Sequence, residues 1–316
     1  MQFLSSLVTI TLQAWNMSTI LITGATGKQG SSLIQSLTQK KSPFQLLAVT
    51  RNTQSPSAQK LVQKFPNVKL IQGDLDNPGE LFERAQVLSS APISGVFSVQ
   101  LAIGNTSSEE SQGKNLIDEA LKYGVKHFVY SSADRGGAKS INNPTDIPHF
   151  INKHHIEKHL LEKTKNGEMG WTILRPVAFY ENLSSNFFGK VFATSFRMSL
   201  KGAPLQMIGV SDIGTIAAEV FLNPEKYKGQ AMSLAGDELT YSQFETIFKE
   251  KTGKSIPTTF QFLCAAFMAM VKDMGFMFRW FHDEGFGASI EEVRKIHPNL
   301  KDFGTWLETE SDFARR

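Results

Sequence analysis

A short apolar run, Ile20, Leu21 and Ile22, ends at Thr23 and passes at once into three glycines, Gly24, Gly27 and Gly30, before a second apolar pattern begins at Ser31. No other segment limits the possible folds as tightly. The run reads as a strand buried on both faces, the habit of parallel sheets, and Leu33, Ile34 and Leu37 fall on one side of a helix. Glycines between the two let the backbone turn sharply and approach a ligand, while the first N–H groups of the helix have no partner within it and suit an anion. The stretch predicts a phosphate cradle contacted by Gly24, Thr26, Gly27, Lys28, Gln29 and Gly30, with the Lys28 ammonium adding positive charge. The alternative is an ordinary glycine-rich turn between strand and helix.

The next apolar run, Gln45 to Thr50, predicts a second buried strand, and Arg51 follows it. In a dinucleotide fold this position meets the adenosine ribose: a carboxylate there holds the 2′-hydroxyl of NAD, whereas an arginine accommodates the 2′-phosphate of NADP. Thr50, Arg51 and Asn52 include no carboxylate, so the expected cofactor is NADP(H); otherwise Arg51 is a solvated surface charge. A helix around Ala58 to Phe65, a strand from Val68 to Gln72 and a helix from Pro78 come next. Between them, Asp74 and Leu75 stand at the sheet edge that faces an adenine, with Asp74 either accepting from the exocyclic amine or capping the helix. Gly95 to Gln100 predicts the fourth strand, whose end at Gln100 lies at the crevice where strand order reverses. The loop from Leu101 to Gly113 reads as mobile, and a helix from about Glu109 to Tyr123 leads to a fifth strand, Lys126 to Tyr130.

Strands alternating with helices at this spacing specify an α/β Rossmann-type fold, a doubly wound parallel sheet with a smaller C-terminal lobe of helical and mixed structure. The expected division is an apolar N-terminal leader over 1–17, without assignment; an NADP-binding domain over 18–178; and a substrate-covering lobe over 179–316, interleaved with the end of the sheet. The leader lacks the basic start and cleavage site of a secretory signal and is too short to span a bilayer. It is read as a segment loosely packed on the surface, unless translation starts at Met17. A net charge of +3 without a basic arm argues against nucleic acid as a direct ligand. Cys264 is the single cysteine, so no intrachain disulfide forms, and a reducing compartment follows, the cytoplasm first and the nucleus open.

TGATGKQG, the arginine after the second strand, GDLDN after the third, FVYSSADRGG after the fifth, HFINKHHIEKHL, WTILRPVAFYENL and the closing DFGTWLE together resemble the NmrA-like family of atypical short-chain dehydrogenases/reductases, from Ser18 to about Glu308. The resemblance implies an NADP(H) binder with a six-stranded Rossmann domain and a smaller C-terminal lobe. Some members are reductases of small molecules and others are redox-responsive regulators that act through a protein partner.

Typical short-chain dehydrogenases carry Tyr-x-x-x-Lys on a helix, the lysine lowering the tyrosine pKa so that the tyrosine passes a proton to the substrate oxygen. Here Lys153 takes the lysine place and His149 stands four residues before it, so the usual acid is missing. Resemblance to isoflavone-reductase-like relatives implies that Lys153 binds the nicotinamide ribose and donates the proton itself; its plain alternative is an ion pair with Glu157 one turn on. His149 is a second candidate acid, or a turn residue ahead of the helix that follows Pro148. By resemblance, Phe179, Tyr180, Glu181 and Asn182 contact the nicotinamide side, with Tyr180 a candidate substitute acid or a packing ring. Ser131 and Ser132 end the fifth strand, where related reductases place a serine that meets the substrate oxygen.

Four of the seven histidines lie between His149 and His159, and His155 and His159 share a helix face, but no third ligand is placed for a metal, and none is expected. Asp212 is expected to cap a helix over 213–221. The run Phe260 to Trp280 is rich in Phe and Met yet interrupted by Lys272, Asp273 and Gly275, so no membrane span is expected. It predicts core helices over a substrate cleft, or an adaptable Met-rich surface. The functional expectation is an NADP(H)-dependent oxidoreductase acting on a small, fairly apolar carbonyl or enone; the alternative is a non-catalytic NADP(H) sensor that regulates a protein partner.

Overall fold

The computed structural model describes residues 18–101 and 106–314; the leader and part of the loop expected to be mobile lie outside them. The chain forms two compact units, each built from three segments: the first from residues up to Ser131 with His155–Leu174 and Gly214–Ala231, the second from Ser132–His154, Arg175–Ile213 and Met232 onward.

The first unit holds most of a seven-stranded sheet. Its strands are β1 (Thr19–Ile22), β2 (Gln45–Thr50), β3 (Val68–Gln72), β4 (Ile93–Ser98), β5 (His127–Ser131), β6 (Gly170–Pro176) and β9 (Gln230–Leu234), in the order β3-β2-β1-β4-β5-β6-β9. The five pairings from β3 to β6 are parallel, and the order reverses between β1 and β4. This is the Rossmann order with one strand more than the six implied by resemblance, because β9 extends the edge beyond β6. Strands β1, β4 and β5 are buried along their whole length, which is why they read as unbroken apolar runs. The helices α1 (Lys28–Gln39), α2 (Pro56–Lys64), α3 (Pro78–Leu88), α4 (Thr106–Lys122) and α5 (Pro148–Lys163) alternate with them, and Leu21, Phe82, Val96, Leu116 and Phe128 meet in one core. Helix α4 starts three residues earlier than expected, so Thr106 to Gly113 is helical rather than loop. Its first turn is rich in hydroxyls and carries Glu109, groups that complement the positive end of a helix.

The second unit contains a small mixed sheet of β7 (Ala178–Phe179), β8 (Leu205–Ile208) and β10 (Asp237–Leu239), with β8 parallel to β7 and antiparallel to β10. Around it lie α6 (Phe187–Ser199), α8 (Tyr241–Thr252), α9 (Gln261–Met270), α10 (Lys272–Asp283), α11 (Ile290–Ile296) and α12 (Phe303–Thr309), while α7 (Val210–Leu222) begins here and continues in the first unit. An aromatic core of Tyr180, Phe196, Phe244, Phe278, Phe303 and Trp306 holds the unit together. Of the two expectations for this run, core packing describes α10, which buries Phe278, Trp280 and Phe281, and an exposed surface describes α9, where Cys264 is the buried residue and Phe262 is 69% exposed. Among the described residues no single helix is long and apolar enough to cross a membrane; α9 and α10 are bent by 110° at their junction.

Buried polar groups pin the first unit's sheet. The Thr172 hydroxyl donates to the Tyr227 carbonyl at 2.9 Å, so it must accept from His127 Nε2, also at 2.9 Å, which fixes His127 as the neutral Nε2–H tautomer. Burial, reinforced by the nearby Lys228 ammonium, pushes the His127 pKa down to about 4. A histidine depressed in the folded state favours folding fully above its unfolded pKa of about 6.5 and loses that contribution as the pH falls through about 4. Urea unfolding is expected to show wild type losing about 2 kcal/mol more stability between pH 7.5 and pH 5 than His127→Gln does; equal losses in both would refute it.

Candidate functional site

The end of β1 is fixed by a side chain that the apolar pattern does not announce. Thr23, fully buried, accepts from Val99 N at 2.8 Å and lies 3.1 Å from the carbonyls of both Phe97 and Val99, to which its hydroxyl donates. It locks β1 to the end of β4, and the chain turns immediately beyond. Gly24 takes a left-handed φ of +56°, and a Cβ there would lie 2.6 Å from Val99 Cγ1. Gly30 has no such strain, yet a Cβ would lie 2.4 Å from the Gly24 carbonyl oxygen. The first turn of α1 is therefore pressed against the loop. Gly27 is the N-cap of α1 and supplies no side-chain cap, leaving the helix's first N–H groups directed outward beside the exposed Lys28. Thr26 and Gln29 are half-buried, and Gln29 Oε1 accepts from the Ser131 hydroxyl at 2.6 Å, tying the start of α1 to the end of β5.

Arg51 is exposed directly after β2, with no ion pair among the described residues, and β2 pairs with β1 in parallel, so Arg51 stands at the same end of the sheet as the glycine loop. Asp74, also exposed, accepts from Asp76 N at 3.1 Å in a local turn. It does not cap α3: the N-cap is Asn77, because the turn between β3 and α3 needs the three residues beyond Asp74. Leu75 is half-buried against the core. Gln100 lies two residues beyond β4, not within it, since the strand runs two residues earlier than expected. Its amide donates to Ser98 Oγ at 2.9 Å, and its Oε1 is buried with no partner among the described residues. The exposed glycine loop, the outward helix N–H groups and the free guanidinium form a donor set, joined by the orphaned Gln100 acceptor, that fits a dinucleotide.

In the second unit, His149 lies inside the first turn of α5 rather than ahead of it, because Pro148 is itself the first helical residue. Its Nδ1 lies 3.3 Å from Asp273 Oδ1 and its ring meets Phe150 edge-on at 4.7 Å. Lys153, one turn later on the same helix face, is buried. Tyr180 is fully buried, tilted against Phe303 and Trp306, and its hydroxyl has no hydrogen-bond partner among the described residues. Burial, then the carboxylates of Asp237, Asp212, Asp302 and Glu181, raise its ionisation well above the usual tyrosine range. Glu181 Oε1 accepts from Val210 N at 3.0 Å and Trp306 Nε1 at 3.1 Å. Of the four residues from 179 to 182, Phe179 is half-exposed and Asn182 exposed.

Two charged clusters were not legible as such. Asp134 accepts from the backbone N–H groups of Gly136, Gly137 and Gly287, each at 2.9 Å. Arg135, fully buried, donates to Ser132 Oγ and to the carbonyls of Ala133, Ser140 and Asn143. The charged pair set before two glycines was the available signal. Asp212, expected as a cap, lies within α7, where it is fully buried and bonded to His297 Nε2 at 2.9 Å and Lys301 Nζ at 2.7 Å. The histidines that suggested a metal are engaged separately, His155 Nδ1 by Glu110 Oε2 at 2.8 Å and His159 Nε2 by Asp118 Oδ1 at 2.9 Å.

Comparison with known proteins identifies the family and the fold. The model of the NmrA-like family matches residues 16–307. A Dictyostelium discoideum NmrA-like family domain-containing protein is 26% identical over 298 residues, covering 92% of this chain and 95% of its own. An NmrA-like family domain-containing oxidoreductase of Aspergillus campestris is 26% identical over 306 residues, covering 86% and 84%. Among solved structures, the Citrobacter triphenylmethane reductase complexed with NADP(H) superposes with a TM-score of 0.72 at 19% identity, covering 90% of this chain and 98% of that one. NmrA, a negative transcriptional regulator in complex with NAD, gives 0.69 at 18%, covering 93% and 95%.

Replacing Thr23 by valine keeps the shape and removes the hydroxyl, leaving Val99 N buried without its acceptor. Thr23→Val is expected to lower the unfolding free energy by about 1–3 kcal/mol; a change below about 0.5 kcal/mol in urea unfolding would contradict the role given to this hydroxyl.

Proposed function

The chain belongs to the NmrA-like family, and from that premise we propose that it is an NADP(H)-dependent oxidoreductase acting on a small, fairly apolar carbonyl or enone compound. The observation that carries the proposal is the free, exposed guanidinium of Arg51 at the end of β2, beside a glycine loop whose helix N-terminus has no side-chain cap. One structural neighbour, the Citrobacter triphenylmethane reductase, is an NADP(H) complex, which supports the same reading.

When bound, the cofactor supplies the hydride. The chain's own residues do the rest. The N–H groups at the start of α1 and the Lys28 ammonium hold the pyrophosphate, and Arg51 pairs with the 2′-phosphate. Asp74, Leu75 and Gln100 would hold the adenosine and crevice side of the cofactor, and Phe179 and Asn182 would contact its nicotinamide side, as the family pattern implies. Lys153 holds the ribose and passes a proton to the substrate oxygen. His149 stands in the place of the usual tyrosine, but its imidazole is turned to Asp273. Tyr180 is enclosed among aromatic rings with its ionisation raised, which suits packing rather than proton transfer. A second reading, a sensor that holds the cofactor without turnover and signals to a protein partner, is favoured by one observation, the histidine in the tyrosine's place.

NADPH consumption with a panel of ketones, quinones and enones tests the enzyme reading: Lys153→Met is expected to lower kcat at least about 100-fold, the range general acid catalysis supplies, and to weaken NADPH binding about tenfold through loss of its bond to the ribose. Unchanged turnover in that variant would remove Lys153 from the chemistry, and tight NADPH binding without consumption of any substrate would establish the sensor instead. Arg51→Ala is expected to raise the KM for NADPH about 10–100-fold while leaving NADH unaffected, the worth of a charge-assisted bond; parallel changes for both would contradict the assignment.

A further inference from the structure

The second unit contains an open cleft of about 780 Å³, within the range of small-molecule sites, between the end of α6, the end of α9 and one face of α10. Its walls are of two kinds. Met268 of α9 and Phe276 of α10 give it an apolar floor, beside Ala269 and Gly275, which have little side chain to fill it. Lys201, Lys272 and Arg279 give it positive charge, against Asp283 as the carboxylate among the described lining residues, and Asp283 is already held by His282 Nδ1 at 2.7 Å. Arg279 is likewise committed, to Asp146 at 3.2 Å and over the Phe276 ring at 4.9 Å. Lys201 and Lys272 have no ion pair among the described residues, and Lys272 opens α10 at an N-terminus whose N-cap, Val271, supplies no side-chain acceptor. Two uncompensated ammonium groups and a helix N-terminus thus border an apolar recess.

The apolar surface does not stop at the cleft. Helix α9 carries no charged residue over its ten positions, and Met270 is 76% exposed. Exposed apolar surface of this extent marks a binding face, and methionine side chains adapt to flexible hydrocarbon. Helix α10 turns its other face, through Asp273 and Trp280, to His149 and Phe150, so the cleft is separate from those groups.

We propose that this cleft binds a free, single-chain anionic amphiphile, its sulfate, carboxylate or phosphate head between Lys201 and Lys272 and its tail on Met268, Phe276 and the exposed face of α9. Charge complementarity selects an anion, and the continuous apolar floor selects an alkyl chain over a bare inorganic ion. The inference is independent of the cofactor assignment, because neither lysine belongs to the proposed catalytic or dinucleotide-binding residues.

Isothermal titration of the full chain with octyl sulfate, 1-octanol and inorganic sulfate, below micellar concentrations, tests it. The expected result is one octyl sulfate bound per chain, at least about tenfold tighter than octanol or sulfate alone, and weakened at least about tenfold in the Lys201→Glu/Lys272→Glu double variant, with NADPH affinity and thermal midpoint unchanged. Equal affinity for octanol, or undiminished binding by the double variant, would overturn the site. Binding to vesicles containing phosphatidylglycerol without any binding of monomeric octyl sulfate would also overturn it, in favour of a membrane-docking face.

Discussion

The turn from β1 into α1 exists only because residue 30 has no side chain: any Cβ there would lie 2.4 Å from the Gly24 carbonyl oxygen. That approach brings the start of α1 onto the loop, and the Gln29 to Ser131 hydrogen bond then fastens it to the end of β5. Thr23 does the same for the end of β4. The glycine loop, β4 and β5 are therefore held in one register by three contacts, and the carboxyl ends of the strands on which the proposed cofactor depends are positioned by them. Removing side chains at the turn exposes backbone donors, and fixing its flanks keeps those donors pointed one way.

Much of this was legible in the sequence, for a physical reason. Strands β2 and β3 run as expected, Gln45–Thr50 and Val68–Gln72, β2 because its interior is an unbroken buried apolar run and β3 because buried Val68 and Ile71 alternate with exposed Lys69 and Gln72. The limits slipped where backbone rather than side chains decides. Strand β4 begins at Ile93, before Gly95, and α4 begins at Thr106 in a stretch of hydroxyls and carboxylates that reads as loop until the helix dipole is considered. Asp212 illustrates a different limit. Its position before an apolar helical pattern suggests a cap, but its partners, His297 and Lys301, lie far along the chain, and no local rule finds them. The exposure of α9 matches the second expectation for that run, a Met-rich surface, rather than the first, which rested on an uncharged helix normally indicating a core.

The candidate chemistry is more selective in the structure than in the sequence. Three residues could have supplied the proton. Tyr180 sits in an aromatic core with its hydroxyl enclosed, and His149 is engaged by Asp273 on α10. Lys153, buried at the lysine place of the family pattern, is the residue to which we assign the proton transfer. The same reasoning separates the histidine cluster from metal binding: His155 and His159 each meet a different carboxylate on α4. Burial also distinguishes the arginines. Arg135 is wholly consumed by a structural network, while Arg51 is left in solvent with its charge uncompensated among the described residues, the condition expected of a phosphate ligand.

A strand-turn-helix cradle followed by Arg51, we propose, selects a 2′-phosphorylated dinucleotide. Fluorescence titration of the wild-type chain with NADPH and NADH, at the same ionic strength, measures that selection without requiring a substrate. NADPH is expected to bind about 10–100-fold more tightly than NADH, the value of one charge-assisted phosphate contact. Equal affinities, or a preference for NADH, would contradict it.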